Sequence, residues 1–418
     1  MSPMLLVRNL KQIATPSGSR PNRGASMREL TIHPDSVAVV DGEKFIFIGK
    51  ESDLDRELRG RITDDLDGGG GTMLPGFVDT HTHLPFAGYR EAEFNRRLQG
   101  ETYSDIARGG GGIASTVRST RAASEEELTA LVVARSRTMA RYGTTTAEAK
   151  SGYGLNLEDE LKQLRAINQA GEDAAVRLIP TCLAAHDFPP ESAGDEAARR
   201  RYVDQVVEEI LPVVGQERLA RFCDVFVEQG AFTIDDGRRV LNAGKDAGMI
   251  PRIHADEFSD SGGAALAVEL GCASADHLMC VSEKGVRALA ASGTVANLLP
   301  ATSFFLMSER YAPARELIDQ GGIVSLSTDC NPGSSMTESM QMVIQLGVLR
   351  MKMTVEEAIT AATLHGAHSL GLAAETGTIE AGKQADFMIL DAPSYLHLVY
   401  HFGVNLVKFV FRSGHRVA

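Results

Sequence analysis

The feature that most restricts this chain is an eightfold alternation of short apolar strands with amphipathic helices through its middle. Strand patterns fall at Gly76–His83, Thr144–Lys150, Arg177–Leu183, Asp224–Glu228, Pro251–Ala255, Ser274–His277, Thr294–Leu299 and Ile323–Thr328. Helical apolar spacing occupies Leu157–Ala170 and Asp235–Ala247. Ser124-Glu125-Glu126-Glu127 reads as a capping box opening a helix that runs to about Tyr142, and Thr354-Val355-Glu356-Glu357 reads as another after the last strand. Eight successive strand–helix units match a (β/α)8 TIM-like barrel of the α/β class, whose functional residues sit at the C-terminal strand ends. A doubly wound sheet is the alternative on this pattern alone. The 41 glycines in 418 residues, above the usual ~7%, suit a chain rich in tight turns.

A barrel takes roughly 200–250 residues, so the ends need a separate account. Short strand patterns bounded by turns recur at Met4–Val7, Val37–Val40 and Phe45–Ile48, and again at Asp386–Leu390 and Leu406–Phe411. A polar stretch through Gly68–Gly71 leads into Met73-Leu74-Pro75-Gly76. Residues 1–74 and 376–418 therefore read as one small β domain assembled from both termini, with the barrel over 75–375.

Charge and cysteine content exclude several roles. With 42 Lys and Arg against 55 Asp and Glu, the net charge is −13, which argues against wrapping a nucleic-acid backbone. Cys182, Cys223, Cys272, Cys280 and Cys330 form no CxxC pair, so neither a disulfide framework nor a thiolate zinc site is expected. Arg8, Lys11 and Arg20 interrupt any apolar N-terminal run, and Ala288–Ser308 contains Ser292, Gly293, Asn297 and Pro300. Neither a signal peptide nor a membrane span is expected, and the reading is a cytoplasmic protein.

Candidate chemistry lies at the strand ends. In Asp79-Thr80-His81-Thr82-His83, residues i and i+2 share a strand face, so His81 and His83 point the same way. The fifth strand ends in His254-Ala255-Asp256-Glu257, the sixth in Asp276-His277 and the eighth in Thr328-Asp329-Cys330-Asn331. His81, His83, His254 and Asp329 make a three-histidine, one-carboxylate set suited to a single divalent metal, Zn2+ or Fe, with a position left for water. His33, His365, His368, His397, His401 and His415 lie away from these ends and read as structural. Lys150, at a strand end, is a carbamate-bridge candidate that a complete mononuclear set makes unnecessary. Gly109–Gly112 lacks the ending and context of a phosphate-binding loop, and reads as a flexible loop over the barrel mouth.

These motifs resemble a known family. Leu74-Pro75-Gly76-Phe77-Val78-Asp79-Thr80-His81-Thr82-His83 resembles the first-strand signature of the amidohydrolase superfamily, and Gly377–Asp386 resembles its C-terminal β segment. Within it, Pro85–Phe94, Glu148–Leu155, Ala184-Ala185-His186 and Asp329–Ser335 are similar to the imidazolonepropionases. The resemblance implies a barrel with a composite β-sandwich domain, and hydrolysis of 4-imidazolone-5-propanoate to N-formimino-L-glutamate in histidine degradation. It implies one divalent metal per subunit on His81, His83, His254 and Asp329, and it suggests a homodimer. It places Arg90, Tyr153, His186, Glu257, Asn331, Gly333 and Ser334 against substrate, and gives Glu257, His277 and Asp329 catalytic roles. Some relatives carry glutamine at Glu257, so the general base stays open between Glu257 and Asp329.

The chemistry agrees with the residues. A bound dication lowers the pKa of water towards ~7, so a metal-bound hydroxide is available to attack a ring amide. Arg90 suits a propionate through its planar fork, although Glu91 or Glu93 offers it an internal partner instead. The nearest rival is an aminohydrolase with the same metal set that releases ammonia. A silent scaffold would be expected to lack metal ligands, and none is missing.

Overall fold

The computed structural model describes residues 4–101 and 111–418. All eight central strands form, as β6 (Phe77–Asp79), β7 (Thr144–Lys150), β8 (Arg177–Ala185), β9 (Phe222–Val227), β11 (Ile253–Ala255), β12 (Ser274–His277), β13 (Val295–Leu298) and β14 (Ile323–Leu326). They pair in parallel in that order, with a two-residue strand β10 (Ile250–Pro251) also on β9. Just beyond β6 and β14 the first and last strands meet: Thr82 bridges Cys330 in parallel, Asp329 N–H donates to His81 O at 3.0 Å, and His83 N–H donates to Cys330 O at 3.0 Å. The Asp79 carboxylate accepts the Thr328 N–H and hydroxyl at 3.1 and 2.5 Å across the same seam. A barrel, and not an open doubly wound sheet, is the outcome.

The helices follow from local signals. Ser124 and Glu127 make the reciprocal capping box of Glu125–Arg141, and Thr354 with Glu357 does the same for Val355–Thr360. Helices Leu157–Ala170 and Ile234–Asp246 bury their apolar faces on the barrel wall. Two π-helical turns, Val206–Ile210 and Ala361–His365, were not legible from the apolar spacing.

The two ends join in a second, mixed sheet: β1 (Met4–Thr15), β2 (Thr31–Pro34), β3 (Val37–Asp41), β4 (Lys44–Gly49), β5 (Asp64–Pro75), β15 (Phe387–Leu390), β16 (Val407–Arg412) and β17 (His415–Arg416). Lys44 of edge strand β4 bridges Gln384, just before β15, and the sheet encloses a core of Val7, Ile13, Phe45, Met73, Phe387 and Phe411. Phe387 and Phe411 stack at 4.6 Å. Gly68–Gly71 and Met73-Leu74-Pro75 belong to one strand, β5, which pairs in parallel with β1 across two register shifts. A side chain at Gly71 would strike the Leu390 carbonyl, and one at Gly68 would strike Leu10. Glycine here permits close approach of strands and does not end one.

All five cysteines are free. Among the described residues no helix is long and apolar enough to cross a membrane. Gly109 and Gly110 lie outside the described residues, so the expectation of a loop over the mouth falls there.

Candidate functional site

Every strand-end histidine singled out from the sequence arrives at one end of the barrel. The His81 ring lies 5.3 Å from His83, 4.4 Å from His254 and 5.3 Å from His277, centroid to centroid. Asp329 Oδ1 stands 3.5 Å from His81 Nε2 and 3.3 Å from His83 Nε2. Its other oxygen accepts the Thr302 hydroxyl at 2.7 Å and the Ser334 hydroxyl at 3.4 Å. One oxygen thus faces imidazole nitrogens while the other is fixed from behind. Asp329 and His277 hold these positions with φ of 54° and 77°, a region that costs non-glycine residues energy and recurs at functional sites.

The nitrogens fit a cation. The four expected ligands are spread over overlapping groups of close donor atoms: His81, His83 and Asp329; His81, His254 and His277; His83, His186 and His254. The Nε2 atoms of His81 and His254 are buried with no hydrogen-bond partner, which is costly for polar atoms that nothing else satisfies. Burial and the neighbouring charges hold His81, His83 and His186 well below the usual imidazole range, the neutral form a metal requires. Around them Glu148, Asp224, Asp276 and Asp329 set four carboxylates against the two cations Lys150 and Arg252.

Carboxylates behind the ligands escaped the sequence reading. Asp276 Oδ2 accepts His81 Nδ1–H at 2.6 Å, which leaves Nε2 as the lone-pair nitrogen. Asp224 Oδ2 lies 3.1 Å from His254 Nδ1. Lys150 is no carbamate: its ammonium donates to Glu148 Oε1 and Asp224 Oδ2, both at 2.8 Å. Those two carboxylates hold its pKa above the ordinary value despite burial, and carbamylation needs the neutral amine.

The segment Lys150-Ser151-Gly152-Tyr153-Gly154-Leu155 is shaped from below by Glu160, fully buried in helix Leu157–Ala170. Its carboxylate accepts the Gly152, Gly154 and Leu155 N–H groups at 3.0, 2.8 and 2.9 Å, while Gln163 Oε1 accepts Tyr153 N–H at 3.2 Å. Gly152, at φ 115°, offers its carbonyl to His186 Nδ1–H at 3.0 Å. His186 then stacks on His83, centroids 4.9 Å apart. Burial raises the Tyr153 phenol, so it remains a donor.

Glu257 stands between two anchored neighbours. Asp256 accepts the N–H groups of Ser261, Gly263 and Ala264, and Glu228 accepts those of Phe258 and Ser259. Burial, Asp329 and Glu228 push the Glu257 carboxyl well above the usual range, which favours its protonated form. His277 Nδ1 lies 3.6 Å from Glu257 Oε1, and burial drops the His277 pKa to about 3.

One cavity of about 680 Å³ is lined by His83, Arg90, Tyr153, His186, His254, Glu257, His277, Asp329, Asn331, Gly333 and Ser334, with only His81 of the expected residues lying beneath it. Phe94, Arg97, Phe226, Phe258 and Leu306 also line it, with the acidic Glu93, Asp187 and Glu228 among the rest of the wall. Arg90 donates to Glu93 through Nε at 2.9 Å and Nη2 at 2.8 Å. The internal partner is therefore real, yet Nη1 still abuts Gly333, where any Cβ would collide with it.

Comparison with known proteins follows the same lines. Residues 244–417 match the amidohydrolase family. The chain is 46% identical over 410 residues to the imidazolonepropionase of Myxococcus xanthus and 45% identical over 412 residues to that of Porphyromonas gingivalis, covering 98% of this chain and 96% of each relative. Its fold is similar to a triazine hydrolase of Arthrobacter aurescens, with a TM-score of 0.74 at 18% identity over 99% of this chain and 94% of that one. It is also similar to a zinc-bound adenosine deaminase of Xanthomonas campestris, with a TM-score of 0.68 at 18% identity over 99% and 92%.

Proposed function

This chain belongs to the imidazolonepropionase family of amidohydrolases, and we propose that its cavity opens the ring of 4-imidazolone-5-propanoate to N-formimino-L-glutamate with one Zn2+ or Fe2+ held by His81, His83, His254 and Asp329. The observation that carries this reading is the turn Asp329–Ser334. Asn331 Nδ2 donates to Asp329 O at 2.8 Å, and Asn331 Oδ1 accepts Gly333 N–H at 2.8 Å. This turn ties the proton-handling carboxylate to the glycine against which Arg90 rests. A site built so can hold a side-chain carboxylate at one end while a ring amide is hydrolysed at the other.

When bound, the dication supplies Lewis acidity, making water acidic enough to attack at neutral pH. Asp329, its outer oxygen fixed by Thr302, takes a proton from the attacking water. It returns that proton to the ring nitrogen as the carbonyl carbon–nitrogen bond breaks. His277, neutral at pH 7, donates an N–H to the carbonyl oxygen as charge develops there. Glu257, whose Oε1 lies 3.6 Å from His277 Nδ1 on the cavity wall, hydrogen-bonds the ring. Tyr153 and His186 line the cavity beside His83 and contact the substrate, and Arg90 takes the propionate through the part of its fork that Glu93 leaves open.

Steady-state kinetics with imidazolone propionate test this assignment. Arg90→Ala removes a charge-assisted contact worth roughly 1.5–3 kcal/mol, so KM should rise by about 10- to 100-fold while kcat changes little. An unchanged KM contradicts the account of carboxylate recognition. Gly333→Ala should act through the same guanidinium. It keeps every charge but displaces Nη1, and KM should rise about tenfold, the low end of the same range, with thermal stability near the parent. A parental KM would show that the alanine is accommodated without moving Arg90.

A further inference from the structure

The ligand histidines are backed twice by the same three-part arrangement. On one side, Asp276 Oδ2 accepts His81 Nδ1–H at 2.6 Å and lies 3.4 Å from Arg252 Nη2, which also donates to Thr80 O at 2.9 Å. On the other, Asp224 Oδ2 lies 3.1 Å from His254 Nδ1 and accepts Lys150 Nζ–H at 2.8 Å, with Glu148 on the far side of the ammonium at 2.8 Å. In each case a single carboxylate oxygen is shared between an imidazole and a fixed cation. All five charged side chains are fully buried. His83 differs: no carboxylate stands at its Nδ1 and its ring rests on His186, whereas His254 Nδ1 has Asp224 Oδ2 in ion-pair range at 3.1 Å, outside hydrogen-bond geometry.

We propose that Lys150 and Arg252 are outer anchors of the metal centre, positioning residues that fix the two carboxylates aiming His81 and His254 and so set how tightly the ion is held. The proposal rests on the metal-centre reading above. A ligand histidine needs its second nitrogen held, or the ring turns and the lone pair leaves the ion. A carboxylate can do this only while it is itself held. In a buried site, a lysine or arginine at hydrogen-bond distance holds it in place. Neither cation reaches the cavity lining, so their influence on turnover passes through the metal ligands. The asymmetry adds weight: with His83 unsupported, the share of ion retention that falls to the histidines rests mainly on His81 and His254.

The test is zinc affinity of the full chain, measured by competition with a chromogenic chelator using zinc alone. It is paired with melting temperatures of the metal-free and zinc-loaded protein. Lys150→Met alone would leave Glu148 and Asp224 facing each other, so the charge-balanced Glu148→Gln/Lys150→Met variant is used, with Arg252→Met and Arg252→Lys beside it. The double variant and Arg252→Met should weaken zinc binding by about 10- to 100-fold, with a smaller rise in melting temperature on zinc addition. Arg252→Lys, which keeps the charge and loses the fork, should fall between them and the parent. Zinc affinities within about twofold of the parent, with equal losses of melting temperature in both forms, would overturn the proposal and leave these cations a purely structural role. A parent chain that binds no zinc stoichiometrically would instead overturn the metal-centre reading on which it stands.

Discussion

Asp329→Ala is expected to lower kcat on imidazolone propionate by at least about a thousandfold. Two losses combine. Removing a positioned general acid–base group costs roughly 10²–10⁴ in rate. The same change removes the oxygen that stands 3.5 and 3.3 Å from His81 and His83 Nε2, so metal retention falls as well. Asp329 sits at φ 54°, where alanine is strained and asparagine is tolerated. Asp329→Asn is therefore the control that separates chemistry from backbone strain: it should keep the parental melting temperature and still be inactive. Either variant assayed under saturating zinc and found within tenfold of the parent would remove Asp329 from its role as proton carrier.

His277→Ala is expected to cost about 10²–10³ in kcat, the range for losing one oxyanion donor, with KM within about threefold of the parent. His277 is buried and neutral at pH 7, so it has one N–H to give and no charge to repel. Metal content decides between two roles, because His277 shares a group of close donor atoms with His81 and His254. An oxyanion donor leaves zinc stoichiometry at the parental value when removed. Loss of the ion from His277→Ala would make His277 a ligand and displace one of the four assigned here.

What the sequence revealed and what it hid divide by range. The eight strands and the helix caps at Ser124 and Thr354 depend on residues a few positions apart and form. His81 and His83 turn the same way, each Nε2 towards Asp329 Oδ1, but from just beyond β6, which ends at Asp79 and not at the expected His83. The groups behind the site depend on pairs that meet only when the barrel closes: Lys150 with Asp224 lies 74 residues apart, Asp276 with His81 lies 195, and Thr302 with Asp329 lies 27. A trace of them was visible. Glu148 in β7, Asp224 in β9 and Asp276 in β12 are charges inside strands that are otherwise buried, and such charges need partners. The partners' identities were not visible. The glycine run in β5 was silent for a related reason, since its role is set by Leu10 and Leu390 across the sheet and by nothing adjacent in the chain.

The most direct test of the central claim is product analysis with imidazolone propionate, on purified protein assayed before and after chelation and again after zinc or ferrous iron is restored. The account predicts N-formimino-L-glutamate without ammonia, lost on chelation and recovered with the metal. Ring opening that persists in metal-free protein would contradict the metal centre. Imidazolone propionate left untouched, with ammonia released from another heterocycle, would contradict the substrate.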